Sequence, residues 1–403
     1  MTVAKPSLLR AINRRTVFEL VHAHGATAAP HVVRTTGLSK PTVSDVLAQL
    51  VQAGLLHKVG RTSGLPGPSA QLYDVNPRAG WALSLDVGRQ WLRGALVDLA
   101  GNVVATASTP TPHTTAKAVI AQLRETATRL TGVAGVTLAE VNQIVVGTPG
   151  VLRPGQNHLS LAPQLTGWES PSVIPAIAEA LVAPVRFEND VNMAAVGEHE
   201  RGVAAGCNDF VLMSIGSGVG TGVFVDGALR RGAAGLAGEI GYMRLDVDAA
   251  FPDGQRATWG AGAFESLVSR AAILAATRRA GMRAPTVEAV FDAARRGDQR
   301  ALSVVELEAR RIAHGIAAIA AVLDPELVVL GGGIGTGGGD LLAGRVAAAL
   351  ASISPFSPRL DVSRLGVDAV IAGCNATGLA LALESLLSPD AEAPPSMRRE
   401  LSA

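Results

Sequence analysis

The sequence predicts an α/β protein in which a small helical N-terminal domain precedes a larger α/β body. Residues 1–77 show helical periodicity and hold eight Lys/Arg against three Asp/Glu, a net charge of +5. The rest of the chain holds 27 Lys/Arg and 31 Asp/Glu, a net charge of −4, and its short apolar runs end repeatedly in glycine. A basic domain on a mildly acidic body favours contact with nucleic acid through the basic domain.

The composition favours a cytoplasmic protein. Apolar residues make up 48% of the 403 residues and aromatic residues only 3%, so the core must be built mainly from Ala, Val and Leu. Cys207 and Cys374 are too few for a disulfide framework and indicate a reducing compartment. The sequence shows neither a signal-peptide pattern nor an uninterrupted run of about 20 apolar residues. We therefore expect no membrane partner and no transmembrane helix.

Residues 1–77 are expected to form three helices. Apolar spacing predicts a first helix over 7–24 and a short second helix over 28–35, and Gly37 follows as a turn. Ser39 is a good N-cap for a third helix, because its hydroxyl can accept a backbone hydrogen bond from the first turn. A short helix, a glycine turn and a third helix with small polar residues on its exposed face match helix-turn-helix geometry.

A wing is predicted after the third helix, where a Gly/Ser/Pro-rich loop at 60–69 precedes a strand at 71–75. Side chains at the start of the third helix could reach phosphates or base edges, and nearby arginines could hold the DNA backbone. A helix face that is merely solvated would carry the same residue types. The candidate DNA-binding residues are Arg34, Ser39, Lys40, Thr42, Ser44, Gln49 and Arg61.

The run from Gly37 to Leu56, G-L-S-K-P-T-V-S-D-V-L-A-Q-L-V-Q-A-G-L-L, resembles the winged helix-turn-helix of the ROK family (repressors, open reading frames and sugar kinases). The resemblance implies double-stranded operator DNA as a partner. Many wings in the family carry Gly-Arg-Pro, which can enter the minor groove. The matching run here is Gly67-Pro68-Ser69, so the resemblance does not extend to minor-groove reading by the wing.

Motifs in the body also resemble this family. They are Asp86-x-Gly88 before a hairpin, Gly147-Thr148-Pro149-Gly150, Glu188-Asn189-Asp190-x-Asn192, the glycine-rich run 216–222, and Asp324-Pro325 leading to Gly331-Gly332-Gly333. The resemblance implies a two-lobed, actin-like (ribonuclease H-like) ATPase or sugar-kinase fold. We expect the first lobe at 78–190 with a returning helix at 374–387, the second lobe at 191–373, and a disordered tail at 388–403.

The resemblance implies a sugar pocket between the lobes. In the sugar kinases the aspartate at the place of Asp190 removes a proton from a sugar hydroxyl, and carboxylates such as Glu239 and Glu265 accept hydrogen bonds from neighbouring hydroxyls. Alternatively, Asn189 and Asp190 only cap the helix that follows them. The candidate sugar-binding residues are Gly147, Asn189, Asp190, Glu239, Tyr242 and Glu265.

The resemblance assigns candidate nucleotide-binding residues to turns where backbone N–H groups can approach phosphate. They are Asp86, Gly88, Gly216, Gly218, Gly220, Gly332 and Gly333. The first phosphate loop departs from the family pattern, because Arg89 and Gln90 stand where active kinases carry glycines and a Thr or Lys. Arg89 could pair with a phosphate, or its bulk could fill the loop. We therefore do not expect ATP as a cofactor.

The family's zinc motif is absent from this sequence. In the family a Gly-His precedes Cys-x-Cys-Gly-x-x-Gly-Cys-x-Glu, whose last residue corresponds to Glu265. Here Tyr242 replaces the His, and Arg256, Thr258 and Ala263 replace the cysteines. These side chains offer neither thiolate nor imidazole, so zinc is not expected and no metal ligand is predicted. Tyr242 could select a different sugar or plug the pocket.

These patterns favour a DNA-binding transcriptional regulator, expected to be a repressor, that is controlled by a sugar or sugar derivative in the cleft. By resemblance, it would form a homodimer or homotetramer. One alternative is an ATP-dependent sugar kinase with an attached DNA-binding domain, in which Asp190 is the catalytic base. Another is a regulator that has lost small-molecule binding and responds to a protein partner.

Overall fold

A computed structural model describes residues 6–62, 69–112, 115–153, 155, 158–162, 165–244 and 262–388. The elements of the N-terminal domain are α1 (Pro6–His24), β1 (Thr27–Ala28), α2 (Ala29–Thr36), α3 (Lys40–Gln52), β2 (Leu56–Arg61) and β3 (Gln71–Val75). The strands form an antiparallel sheet of order β1-β3-β2. The first two helices match their predictions to within one residue at each end, and the predicted winged helix-turn-helix is confirmed.

The turn between α2 and α3 forms where the sequence predicted it. Gly37 has a φ of 69°, in the left-handed region that favours glycine. Ser39 then caps α3 and accepts a hydrogen bond from Thr42 N–H at 3.3 Å. The apolar side of α3, which includes Val43, is buried in one core with Phe18 of α1. This packing leaves the start of α3 exposed.

The first lobe is built on one five-stranded sheet. Its elements are β4 (Trp81–Val87), β5 (Trp91–Asp98), β6 (Val103–Pro110), α4 (Ala116–Ala134), β7 (Gln143–Thr148), β8 (Val151–Leu152), β9 (Leu159–Ser160), α5 (Val173–Leu181) and β10 (Val185–Asn189). The sheet order is β10-β7-β4-β5-β6, in which β10, β7 and β4 are parallel. The carboxyl ends of these three strands therefore meet at one edge of the sheet.

The second lobe contains the other large sheet. Its elements are α6 (Asp190–Arg201), β11 (Phe210–Ile215), β12 (Val219–Val225), β13 (Ala228–Leu229), α7 (Glu265–Val268), α8 (Arg270–Arg279), α9 (Val287–Arg295), α10 (Gln299–Leu323), β14 (Leu327–Gly331), α11 (Gly332–Ile353) and β15 (Arg359–Val362). The sheet order is β13-β12-β11-β14-β15. A last helix, α12 (Ala369–Leu387), packs against α6 and against β4 and β7 of the first lobe.

Several predicted boundaries differ from the structure. The returning helix packs on the first lobe as predicted, but it begins at Ala369 rather than at 374. The sequence also predicts one helix over 263–277, and the structure divides it into α7 and α8, because Ser269 has extended backbone with ψ 164°. A helix of small residues is likewise predicted over 312–322, and it begins earlier, at Gln299, since Asp298 provides its N-cap.

Helix α12 explains an apolar stretch that would otherwise suggest a membrane span. Within the described residues, Gly366–Leu387 is long and apolar enough to cross a bilayer by length and composition alone. In the fold, Gly373, Cys374 and Ala382 of this stretch are buried. The apolar residues of α12 therefore serve its packing between α6 and the sheet of the first lobe.

Candidate functional site

A cavity of about 340 Å³ lies between the two lobes. Its walls are the turn after β7, the junction of β10 with α6, the turn between β11 and β12, and the start of α11. A position beyond the carboxyl ends of parallel strands is typical of ligand sites in α/β folds. The predicted sugar-binding residues that line the cavity are Asn189, Asp190, Glu239, Tyr242 and Glu265.

Asn189 and Asp190 cap α6 and also line the cavity. Asn189 Oδ1 accepts hydrogen bonds from the N–H groups of Val191 and Asn192 at 2.9 and 3.1 Å. Its Nδ2 donates to Gly150 O at 3.1 Å, which ties α6 to the turn after β7. Asp190 Oδ1 accepts from Val191 N–H at 2.9 Å. The two interpretations of this pair, helix cap and ligand contact, are therefore compatible.

Glu239 precedes a 3-10 turn, Ile240–Tyr242, and Tyr242 is its last residue. The turn is fixed against β12 by Gly238, which has a φ of 90° and accepts a hydrogen bond from Thr221 N–H at 2.8 Å. Tyr242 lines the cavity and is 42% exposed. Tyr242 therefore forms part of the cavity wall and is open to solvent on one side.

Packing and one backbone hydrogen bond hold Glu265 in the cavity wall. Its carboxylate accepts from Val219 N–H at 3.2 Å, which ties the start of α7 to the start of β12. The preceding Phe264 is fully buried, with its ring against Gly315 of α10. Gly262 lies so close to the 3-10 turn that a Cβ there would overlap its backbone. These contacts position Glu265 in the absence of the zinc cysteines.

The structure offers no metal site in the part of the chain that it describes. Within those residues, no group of three or more His, Cys, Asp or Glu could hold a metal ion. Of the three positions that replace the zinc cysteines, Ala263 precedes α7, and Arg256 and Thr258 lie outside the described residues.

The surroundings of the cleft disfavour ionisation of its carboxyl groups. Burial, followed by the charges of Asp190 and Glu265, raises the pKa of Glu239 to about 7. Burial also raises the pKa values of Asp190 and Glu265, although backbone N–H donors oppose the shift in both. Near neutral pH a set of carboxyl groups with raised pKa values can include both protonated and ionised members. The set can then both donate hydrogen bonds to hydroxyl groups and accept hydrogen bonds from them. This chemistry suits a ligand with several hydroxyl groups.

The first phosphate loop is occupied by protein groups. Asp86 is buried at the end of β4, outside the cavity wall, and Arg93 Nη1 lies 3.5 Å from its Oδ2. Gly88 N–H donates to Trp91 O at 3.0 Å in a tight hairpin turn, and Gly88 does not line the cavity either. Of the residues in this loop, Arg89 lines the cavity.

The backbone around Arg89 is fixed by a buried threonine. Thr111 Oγ1 donates to Gly88 O at 2.7 Å, and Thr111 N–H donates to Gln90 O at 2.9 Å. The Arg89 side chain is exposed, so it does not fill the loop. Arg89 is also the single Lys, Arg or His among the described residues that line the cavity.

The second glycine-rich turn and the start of α11 form the opposite wall. The predicted residues found there are Gly216, Gly218, Gly220, Gly332 and Gly333. Because β12 begins at Val219, Gly220 lies in a strand rather than in the expected loop. Arg270 N–H donates to Gly216 O at 2.9 Å, and the Arg270 guanidinium lies beside Gly333 while paired with Glu288 at 3.0 Å.

Gly147 occupies a different place from the one expected. It lies inside β7, does not line the cavity, and faces Val370 and Cys374 of α12, whereas Pro149 and Gly150 form the wall. Sequence reasoning also missed the partner of Glu188.

Glu188 is buried at the end of β10, and its carboxylate bonds to Arg231 Nε of the second lobe at 2.5 Å. Glu188 belongs to the same motif as Asn189, but no pattern in the sequence indicates that Arg231 is its partner.

The predicted DNA-binding residues lie on one domain with their side chains accessible. Arg34, Ser39, Lys40, Ser44 and Arg61 are exposed, and Thr42 and Gln49 are half-buried. Two of them have partners within the domain. Gln49 Nε2 donates to Asp45 at 2.8 Å, and the Arg61 guanidinium donates to Ser69 O at 2.6 Å, across the base of the wing.

Comparisons with known proteins agree with this architecture. The family model described as "ROK family" matches residues 82–363. The chain is 24% identical over 344 residues to the xylose repressor of Bacillus spizizenii, covering 82% of this chain and 84% of the repressor. A crystal structure of a ROK family transcriptional regulator, a homolog of the Escherichia coli MLC protein, superimposes with a TM-score of 0.76 at 24% identity, covering 94% of this chain and 98% of that one.

A ROK hexokinase from Thermus thermophilus superimposes with a TM-score of 0.62 at 27% identity, covering 74% of this chain and 98% of the kinase. The fold of the body is thus shared by regulators and by sugar kinases. The family model spans most of both lobes and includes every cleft residue described above. The chain belongs to the ROK family.

Proposed function

We propose that this protein is a DNA-binding transcriptional repressor whose affinity for its operator is controlled by a sugar or sugar derivative in the cleft. The observation that carries the proposal is the presence, on one chain, of a winged helix-turn-helix and of a cavity lined by Asp190, Glu239 and Glu265. The likeness to a xylose repressor supports both parts. A reducing cytoplasm is the compartment in which such a repressor would act.

The regulation would work through closure of the lobes around the ligand. Glu188 of the first lobe and Arg231 of the second already join the two lobes. A ligand that contacts both lobes would favour one relative arrangement of them. In a homodimer, operator half-sites lie about one helical turn, or roughly 34–36 Å, apart. A modest change in the separation of the two N-terminal domains would then prevent simultaneous docking.

The second candidate is an ATP-dependent sugar kinase with an attached DNA-binding domain. The position of Asp190 in the cavity and the fold shared with the Thermus hexokinase favour it. Two features disfavour it: the buried Asp86 is paired with Arg93 outside the cavity wall, and Arg89 and Gln90 stand where active kinases carry glycines and a Thr or Lys. The repressor is therefore the better-supported function.

One experiment separates the two candidates. Purified protein is bound to operator fragments recovered by selection from genomic DNA, and sugars, sugar phosphates and ATP are added singly and in pairs. The repressor predicts that a sugar alone lowers operator affinity and raises the melting temperature. ADP production that requires the sugar and is abolished by Asp190→Ala would establish the kinase instead.

A further inference from the structure

One end of helix α12 packs against α6. Its Gly373 lies against the carbonyl of Met193 in α6, and Gly197 of α6 lies against the carbonyl of Ala369. A Cβ at either glycine would overlap the facing backbone, so the two helices cross in direct backbone contact. Helix α6 is the element that begins at Asp190 in the cavity wall.

The same end of α12 contacts the strand that leads into the cavity. A Cβ built on Gly147 of β7 would lie 2.9 Å from Val370 Cγ1 and 3.2 Å from Cys374 Sγ. Thr377 Oγ1, about one turn after Cys374, donates to Met193 Sδ at 3.7 Å. Any displacement of α6 relative to β7 must therefore be accommodated at α12, because interiors are close-packed.

The other end of α12 completes the core of the DNA-binding domain. Leu386 and Leu387 are buried in one hydrophobic cluster with Val17 and Phe18 of α1 and Leu50 of α3. Leu379 and Leu383 pack against this cluster from the same helix. The 19-residue helix is about 28 Å long, and its two groups of contacts follow each other along it.

We propose that α12 carries the state of the cleft to the DNA-binding domain, with the crossing at Gly197 and Gly373 as its input and the leucines at 379–387 as its output. The proposal rests on the proposed function for the nature of the signal. Because the leucines are part of the N-terminal core, that domain follows α12 instead of moving independently on a linker. Leu383 and Leu386 are thus positioning residues, which contact neither DNA nor ligand.

The first test weakens the output contact. Leu383→Ala trims a partly buried contact, and Ser385→Ala changes an exposed neighbour on the same helix as a matched control. The operator Kd is measured with and without the sugar that releases the wild type, and sugar binding is measured by calorimetry. Effector couplings are typically about 5–150-fold. The sugar response is the ratio of the operator Kd with sugar to the operator Kd without it. We expect Leu383→Ala to reduce this ratio at least threefold relative to the wild type, while its sugar Kd stays within twofold of the wild-type value. Ser385→Ala should keep the wild-type ratio.

The second test perturbs the input contact and needs no sugar. Gly373→Ala should push α6 away from α12, whereas Gly344→Ala adds the same methyl to α11 in open space. We expect Gly373→Ala to change operator affinity at least threefold and Gly344→Ala to leave it unchanged. If thermal melting shows that Gly373→Ala is unfolded, Val370→Ala replaces it, because it removes methyl groups from the neighbouring contact of α12 with Gly147 of β7.

Two results would overturn the proposal. One is an undiminished sugar response in Leu383→Ala, and the other is unchanged operator affinity in the input variant. A wild type that no sugar releases from its operator would instead refute the proposed function, and the second test would still decide the role of α12.

Discussion

Arg93 and Asp86 face each other across the first hairpin of the body, with Arg93 Nη1 3.5 Å from Asp86 Oδ2. The pair places a fixed positive charge beside the aspartate of the first phosphate loop. Burial and the charge of Asp190 nevertheless raise the pKa of Asp86 to about 7, and Arg93 opposes the shift. Arg93 thus supplies a positive charge from the protein itself to this buried carboxyl.

The raised pKa of Asp86 predicts how stability depends on pH. Folding raises this pKa from 3.8 to about 7, so the stability that the proton confers is fully present below pH 4 and is lost as pH rises through 7. Asp86→Asn carries no titrating group. Between pH 5 and pH 8, the unfolding free energy of the wild type should therefore fall relative to that of Asp86→Asn, by about 2–3 kcal/mol.

Urea unfolding of both proteins at the two pH values measures this difference. Asp340→Asn, an exposed change on α11, should keep the wild-type pH dependence. Parallel stability curves for Asp86→Asn and the wild type would contradict the assignment of the proton to Asp86.

Lys40 at the start of α3 is expected to contact a DNA phosphate. Replacing it with Ala should weaken operator binding and reduce the slope of log Kd against log salt by about one, because one fewer counterion is released. Lys117→Ala in α4 of the first lobe is the matched control and should preserve the slope. An unchanged slope for Lys40→Ala across a salt titration would exclude this contact.

Asp190 and Glu265 should be needed for the sugar response and dispensable for DNA binding. Asp190→Asn and Glu265→Gln keep the shape of each side chain but remove a charged hydrogen-bonding group, at a cost of about 1.5–3 kcal/mol in sugar binding, or roughly 10- to 150-fold in Kd. Calorimetry with the releasing sugar, paired with operator binding in its absence, measures both properties. A loss of operator affinity without sugar would show that these residues support the fold and not the ligand.

Arg89 should distinguish phosphorylated from free sugars. As the single basic group among the described residues of the wall, it can pair with a phosphate, and a charge-assisted pair contributes about 1.5–3 kcal/mol. Arg89→Gln is therefore expected to weaken binding of a sugar phosphate at least tenfold and of the free sugar little. Gln90→Ala, at the adjacent exposed position, controls for changes in the loop. Equal losses for both ligands would mean that Arg89 only shapes the turn.

Local patterns predicted most of the fold. Ser39 and Asn189 are N-caps as their residue types indicate, because a helix cap depends on neighbouring residues. The five carboxyl, amide and phenol side chains of the sugar site also line one cavity. Gly147 was misplaced because β7 continues past the point where the apolar run ends.

The contacts that sequence reasoning missed include one within a hairpin and others that join distant segments. The Arg93–Asp86 pair could have been found, since a hairpin that turns at Arg89 and Gln90 sets these two residues opposite each other. The bond between Glu188 and Arg231 depends on the relative placement of two lobes, which no local pattern specifies. The same is true of the leucines of α12 in the N-terminal core.

The shared core has a consequence for the synthesis of the protein. Phe18 leaves the ribosome early, whereas Leu386, which helps to bury the same cluster, is made after nearly the whole body. Domains generally fold in order during translation, but this one lacks part of its interior until α12 has emerged. A nascent chain would therefore complete its DNA-binding domain only after the residues of the cleft that controls DNA binding have been synthesised.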